Sequence, residues 1–169
     1  MRILLTLAMV ALILLCAYGM LHGWRKRSRR QATELPPFPA VPAGLSTVEP
    51  LLPPETGVYV GTTAAENWVE RITVADIGHR AEATATLYPQ GLLLDRVGAS
   101  PLWIDAATIR DARTARGLAG KVVGNNGLLV ITWAHGEHLL DTGFRGDDKT
   151  GYSDWIAAIT QRKAANESA

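Results

Sequence analysis

Residues 3–21 read ILLTLAMVALILLCAYGML, 19 positions without a charge or a proline. As a helix that run spans about 28 Å, close to the thickness of a bilayer's hydrocarbon core. The pattern then changes twice. Seven of the nine prolines fall between positions 36 and 54, where each fixes φ and removes an amide donor. An extended spacer is expected there, able to hold the rest of the chain up to roughly 60 Å away. From position 57 onward, short runs alternate apolar and polar residues and are separated by Gly, Asn and Asp. The runs 57–63, 68–77, 82–88, 92–97, 102–104, 109–114, 128–134 and 139–145 predict about seven strands. The continuous apolar stretch LLVITWA at 128–134 fits a well-buried strand, and His135-Gly136-Glu137-His138 a tight hairpin turn. The last element has another period. Tyr152, Trp155, Ile156 and Ile159 recur at spacings of three and four, the stripe of an amphipathic helix.

These elements divide the chain into an apolar anchor (1–24), a basic cluster with a proline-rich linker (25–56), a folded domain (57–163) and a tail (164–169). The domain class is mainly β (α+β): a small bent antiparallel barrel or sandwich closed by a terminal helix that buries Trp155.

Charge adds an orientation. Of 17 basic residues, Arg2, Arg25, Lys26, Arg27, Arg29 and Arg30 precede every acidic one. The remainder holds 11 basic against 16 acidic groups, a net of −5, so phosphate neutralisation and nucleic-acid binding are not expected. Residues 3–21 are expected to cross the inner (plasma) membrane once. The positive-inside bias then puts the carboxy-terminal domain in the cytoplasm. Trp24, Arg25, Lys26, Arg27, Arg29 and Arg30 would lie at the interface, where arginines also meet anionic head groups. A cleaved signal peptide fits less well, because the apolar run is long and RKRSRR rather than a small-residue site comes after it. Gly19 and Gly23 have the spacing of close helix packing, which allows weak self-association.

Seven short strands followed by a helix with a buried tryptophan resemble the pleckstrin-homology-like (PH-like) superfold. The phrases GLAGKVV at 117–123, LLVITW at 128–133 and LDTGFR at 140–145 resemble small bacterial single-pass membrane proteins with a PH-like domain. That resemblance implies a seven-stranded bent barrel capped by a carboxy-terminal helix, and it implies no reaction.

Candidate chemistry is sparse. PH domains that hold inositol phosphates use cations near the first strand pair, whereas here TTAAEN at 62–67 offers none. Arg110, Arg113, Arg116 and Lys121 surround the turn Gly117-Leu118-Ala119-Gly120, a candidate anion or partner patch. A P-loop is excluded, since position 115 is Ala and position 122 is Val. A single cysteine removes disulfide frameworks and multi-cysteine metal sites. His135 and His138 read as ordinary exposed turn residues rather than metal ligands. No serine sits in a nucleophile elbow, so neither catalysis nor a cofactor is expected. PPFP and PLLPP have the prolines of ligands for aromatic grooves but lack flanking basic residues, so they are read as spacer. The expected function is a membrane-anchored, non-enzymatic interaction or scaffold module that docks a protein partner at the cytoplasmic membrane face. The alternative is an anionic ligand- or lipid-binding domain, for instance an accessory to a membrane transporter.

Overall fold

The computed structural model describes residues 2–74, 76–122 and 127–167. Helix α1 (Arg2–Glu34) takes in the apolar run and continues through the basic cluster. Its window Thr6–Gly23 is long and apolar enough to cross a membrane, and none of that window is buried against the rest of the chain.

The strands are β1 (Glu55–Ala64), β2 (Asn67–Arg71), β3 (Ala81–Tyr88), β4 (Gly91–Arg96) and β5 (Leu102–Asp105). They continue with β6 (Ile109–Ala115), β7 (Gly117–Leu118), β8 (Lys121–Val122), β9 (Leu128–His135) and β10 (His138–Gly146), before helix α2 (Tyr152–Glu167). Seven form one antiparallel order, β5-β4-β3-β1-β10-β9-β6, with β2 attached to β1 and β7–β8 paired separately. A 3-10 turn, Ala106–Thr108, carries the chain between the two outermost strands, and α2 packs against that turn and β6. This is the seven-stranded, helix-capped architecture that the alternating pattern predicts.

Register fixes which loops share an end. Ala64 pairs with Leu140 and Tyr59 with Ala81, so the Gly136–Glu137 turn and the connections after β2 and β4 gather where β1 finishes. That end is the mouth of the barrel. The β3–β4 turn and the start of α2 lie at the other end, where Arg162 Nε donates to the Pro89 carbonyl at 2.7 Å.

Strand β9 shows why its sequence is apolar at consecutive positions. Leu129, Ile131 and Trp133 face the main core, while Leu128 and Val130 face a smaller cluster with Val60 and Leu118 on the outer side. The β7–β8 hairpin supplies that cover. Its turn places Ala119 and Gly120 in succession at φ 54° and 72°, the two left-handed residues of a tight hairpin. Leu118 then sits over Gly143, where an added Cβ would come within 2.6 Å of it.

Inside the barrel the hydroxyls form a directed chain. Trp133 Nε1 donates to Thr142 Oγ1 at 2.9 Å, and Tyr59 donates its single phenolic proton to the Ile77 carbonyl at 2.8 Å. Tyr59 Oη therefore accepts from Thr62, and Thr62 in turn accepts from Thr142. Every hydroxyl on this path is satisfied, which keeps polar groups tolerable in an apolar interior.

Three expectations need correction. The run 68–77 is strand only as far as Arg71. Ile72 and Ile77 are both buried although five positions apart, a spacing that strand alternation cannot satisfy, so the chain turns in irregularly to cap the mouth. Position 75 and the side chain of Trp68 lie outside the described residues. The proline-rich stretch is not a free spacer. Leu35 and Leu45 are buried, Phe38 and Leu52 pack against the core, and Leu51 N donates to the Leu87 carbonyl at 2.8 Å. Prolines exclude the segment from the sheet but not from the surface of the sheet, and its apolar residues bury themselves there. Trp103, Trp133 and Trp155 lie in the core as expected. Helix α2 extends into the segment expected as tail.

Thr142→Val keeps the shape and removes the hydroxyl at the centre of the chain, leaving the Trp133 indole N–H unpaired. A loss of about 1–3 kcal/mol is expected. Denaturant unfolding monitored by circular dichroism checks this, and an unchanged midpoint would show that the hydroxyl chain contributes nothing.

Candidate functional site

Of the basic residues singled out from the sequence, Arg110 and Arg113 lie on β6, Arg116 just before β7 and Lys121 on β8. Arg110 is exposed and its Nη1 donates to the Ala107 carbonyl at 2.8 Å. Arg113 reaches across β9: Nη1 donates to Thr132 Oγ1 at 2.7 Å and Nη2 to Asp141 Oδ2 at 2.5 Å. Asp141 is 2% exposed and also accepts from Thr132 at 2.6 Å. The guanidinium thus serves as the counter-charge of a buried carboxylate. Arg116 is exposed just before β7. Lys121 lies on β8 with a side chain outside the described residues, as are the side chains of Trp24, Arg25, Lys26, Arg27, Arg29 and Arg30 on α1.

What the fold does assemble is the mouth. His135, read from sequence as an exposed turn residue, is buried because residues 35–38 lie on it. Its Nε2 donates to the Pro36 carbonyl at 2.8 Å. The Phe38 ring stacks on the imidazole at 4.4 Å between centroids and 5° between planes, with the Trp133 ring tilted beside it at 6.2 Å. Gly136 leaves room for the Pro36 ring: a Cβ there would stand 3.0 Å from Pro36 Cγ.

A second fixed point stands across the mouth. The Arg96 side chain is 1% exposed and packs 4.9 Å over the Tyr59 ring. Its Nε and Nη2 donate to the Ser100 carbonyl, Nη1 donates to the Asp76 carbonyl, and Nη2 donates to Asp76 Oδ1 at 2.6 Å. Asp76 Oδ2 accepts from Ser100 N at 2.6 Å. Arg96 thereby ties the connection after β2 to the turn after β4. Between this clamp and residues 38–41 runs a cleft of about 400 Å³, walled by Phe38, Val41, Ile77, Pro101 and Leu102 with Asp76 at its rim. Sequence reading missed both Arg96 and the Phe38–His135 stack.

Electrostatics follow from the geometry. Burial pushes the Tyr59 phenol up to about 12, against the opposing effects of its Thr62 hydrogen bond and the nearby Arg96. For Asp76, partial burial acts upward, but the Ser100 hydrogen bonds and Arg96 outweigh it and hold the carboxyl below its ordinary value. Among the described residues no group of three or more His, Cys, Asp or Glu is placed to hold a metal ion. The mouth offers apolar and aromatic walls and hydrogen-bonding groups, a set suited to binding.

A family model described as Bacterial PH domain-like matches residues 35–160. Among solved structures, the C-terminal domain of an unknown protein from Leishmania infantum is similar, at 12% identity and TM-score 0.42 over 71% of this chain and 88% of that one. No curated protein matches. The chain belongs to the bacterial PH domain-like family. Membership suggests a non-enzymatic interaction module, the fold being generally non-catalytic.

Two outcomes are expected. Arg113→Ala strands the Asp141 carboxylate and lowers stability by about 1–3 kcal/mol, measured as a denaturation midpoint. An unchanged midpoint would free Arg113 from that structural role. The lowered Asp76 carboxyl makes the unfolded chain the stronger proton binder in acid. Its contribution is present above about pH 4 and is lost as pH falls through the folded value. Asp76→Asn is therefore expected to flatten the acid limb of a stability–pH curve, and an identical limb would contradict the assignment.

Proposed function

We propose that this bacterial PH domain-like chain is a single-pass, membrane-tethered interaction module that presents its domain to a protein partner at the cytoplasmic membrane face. One observation carries the reading: an unburied apolar helix runs directly into the domain's core. The window Thr6–Gly23 has no cover from the rest of the chain, whereas Leu35, one residue beyond α1, is buried with the core residues. A bare apolar helix of that length is stable in lipid and is a liability in water.

The tether is short. Residues 24–34 continue the helix, and at about 1.5 Å per residue they set the domain roughly 17 Å beyond the end of the apolar window. That distance limits the partners to proteins in or beside the same bilayer and raises their effective concentration. Arg25, Lys26, Arg27, Arg29 and Arg30 come after the window against Arg2 before it, which supports a cytoplasmic domain.

Topology labelling tests the reading. A Cys16→Ser chain carrying Ser168→Cys should resist a membrane-impermeant thiol reagent in intact cells and react after lysis. Labelling of intact cells would put the domain on the other side. Deleting residues 2–23 should shift the protein from the membrane pellet to the soluble fraction, and retention in the pellet would rule the anchor out.

A further inference from the structure

We infer that the mouth of the barrel is a binding site for proline–aromatic peptide segments, filled in this chain by its own residues 35–41. The inference rests on reading the chain as an interaction module, and it names the chemistry of the partner.

The segment seated there is Leu35-Pro36-Pro37-Phe38-Pro39-Ala40-Val41, and each feature of the seat answers one of its features. The His135 ring takes the face of Phe38, Trp133 lines the side of that ring, and Gly136 clears space for the Pro36 ring. His135 Nε2 reads the Pro36 carbonyl, the one backbone group here that a proline leaves able to hydrogen-bond. Aromatic walls with a donor aimed at a carbonyl are how extended proline segments are recognised, since such segments lose little conformational entropy on docking.

The seat is separable from the fold that forms it. Among the described residues, no backbone amide from 38 to 43 donates a hydrogen bond, so the segment beyond the helix end is held by side-chain packing and one carbonyl. The ladders of β1, β9 and β10 are complete without it. Local opening of so weakly bonded a segment needs far less free energy than unfolding the sheet. The cis segment also leaves space unfilled, because the cleft of about 400 Å³ continues past Phe38 towards Ile77, Pro101 and Leu102. A competing segment with further apolar residues would extend into that cleft and meet the Asp76 carboxylate at its rim.

The occupant is thus a proline–aromatic segment on a membrane-associated protein, which displaces residues 35–41. Because those residues connect α1 to the domain, displacement would lengthen the tether, so binding and reach are coupled.

The chain has two phenylalanines, Phe38 in the segment and Phe144 in the core, so 4-fluorophenylalanine gives one reporter for each. The full-length protein in detergent micelles would be titrated with an unlabelled acetyl-LPPFPAV-amide peptide and followed by fluorine NMR. The Phe38 resonance should move to its solvent-exposed position at millimolar peptide while the Phe144 resonance stays. A Phe38 line that never moves, or one that moves together with Phe144, would overturn the inference. A fluorophore-labelled copy of the peptide should bind a Phe38→Ala chain at least tenfold more tightly than wild type, because the cis competitor is weakened. Adding His135→Ala should cost that chain at least tenfold. Equal binding by all three chains, or equal binding of a peptide with alanine for its phenylalanine, would also overturn it. Should Phe38→Ala not fold, the fluorine titration of wild type decides alone. The topology labelling is independent of the mouth. Failure of the peptide alongside a Ser168→Cys thiol that stays protected in intact cells would reject this site while leaving the tethered module standing.

Discussion

A bent seven-stranded sheet has two open ends, and its apolar interior holds together only while water is kept from both. At one end α2 supplies the plug with Tyr152, Trp155 and Ile159. At the other the chain uses two pieces that are not sheet at all: Ile72 and Ile77 from the connection after β2, and Leu35 and Phe38 from the segment before β1. Trp133 is where these pieces meet. Its ring touches Phe38 and His135, and its indole N–H starts the hydroxyl chain that ends on Ile77. Closure of the mouth and order in the core are therefore one problem. Arg96 adds to the same closure from the far side, with its charge matched by Asp76 and its face against Tyr59.

Closing the mouth with the segment that leads out of α1 has a mechanical consequence. A solvated proline spacer would leave the domain free to sample a wide volume, whereas a segment laid on the domain gives it a fixed point of attachment at the mouth. Burying Leu35 is worth about 1.5–3 kcal/mol and the half-buried Phe38 less, an amount that a partner's binding energy can match. The contact is strong enough to define a resting arrangement and weak enough to be exchanged. Residues knitted into the sheet by backbone ladders would not have that property.

Much of this fold was legible because side-chain alternation reports burial directly. Ala83, Ala85 and Leu87 of β3 all turn inward, and the period of Tyr152, Trp155 and Ile159 marked the helix. The bracketed apolar run of β9 also read correctly, although the reason, a second small cluster under the β7–β8 hairpin, was invisible without the register. The site was far less legible. PPFP looks the same whether solvated or docked, because proline fixes φ in either case. Its docking depends on His135, which lies 99 positions from Pro36. Arg96 falls at the end of a strand where a cation normally points to water, and only the approach of Asp76 and Ser100 makes its burial favourable. Asp141 is similar: its neighbours in sequence are Leu and Thr, and its counter-charge comes from β6.

The outer face shows the same logic. Cover by Leu118 makes Val60, Leu128 and Val130 interior, and Arg113 supplies the counter-charge of Asp141. A protein interface needs a desolvated centre of apolar or aromatic groups with a polar rim. In the described fold that combination recurs at the mouth, where Phe38, His135 and the cleft walls adjoin the Asp76 carboxylate. The mouth is also where α1 enters. A partner bound there would touch the domain and α1 at once, so recognition and the placing of the domain against that helix would rest on the same few residues.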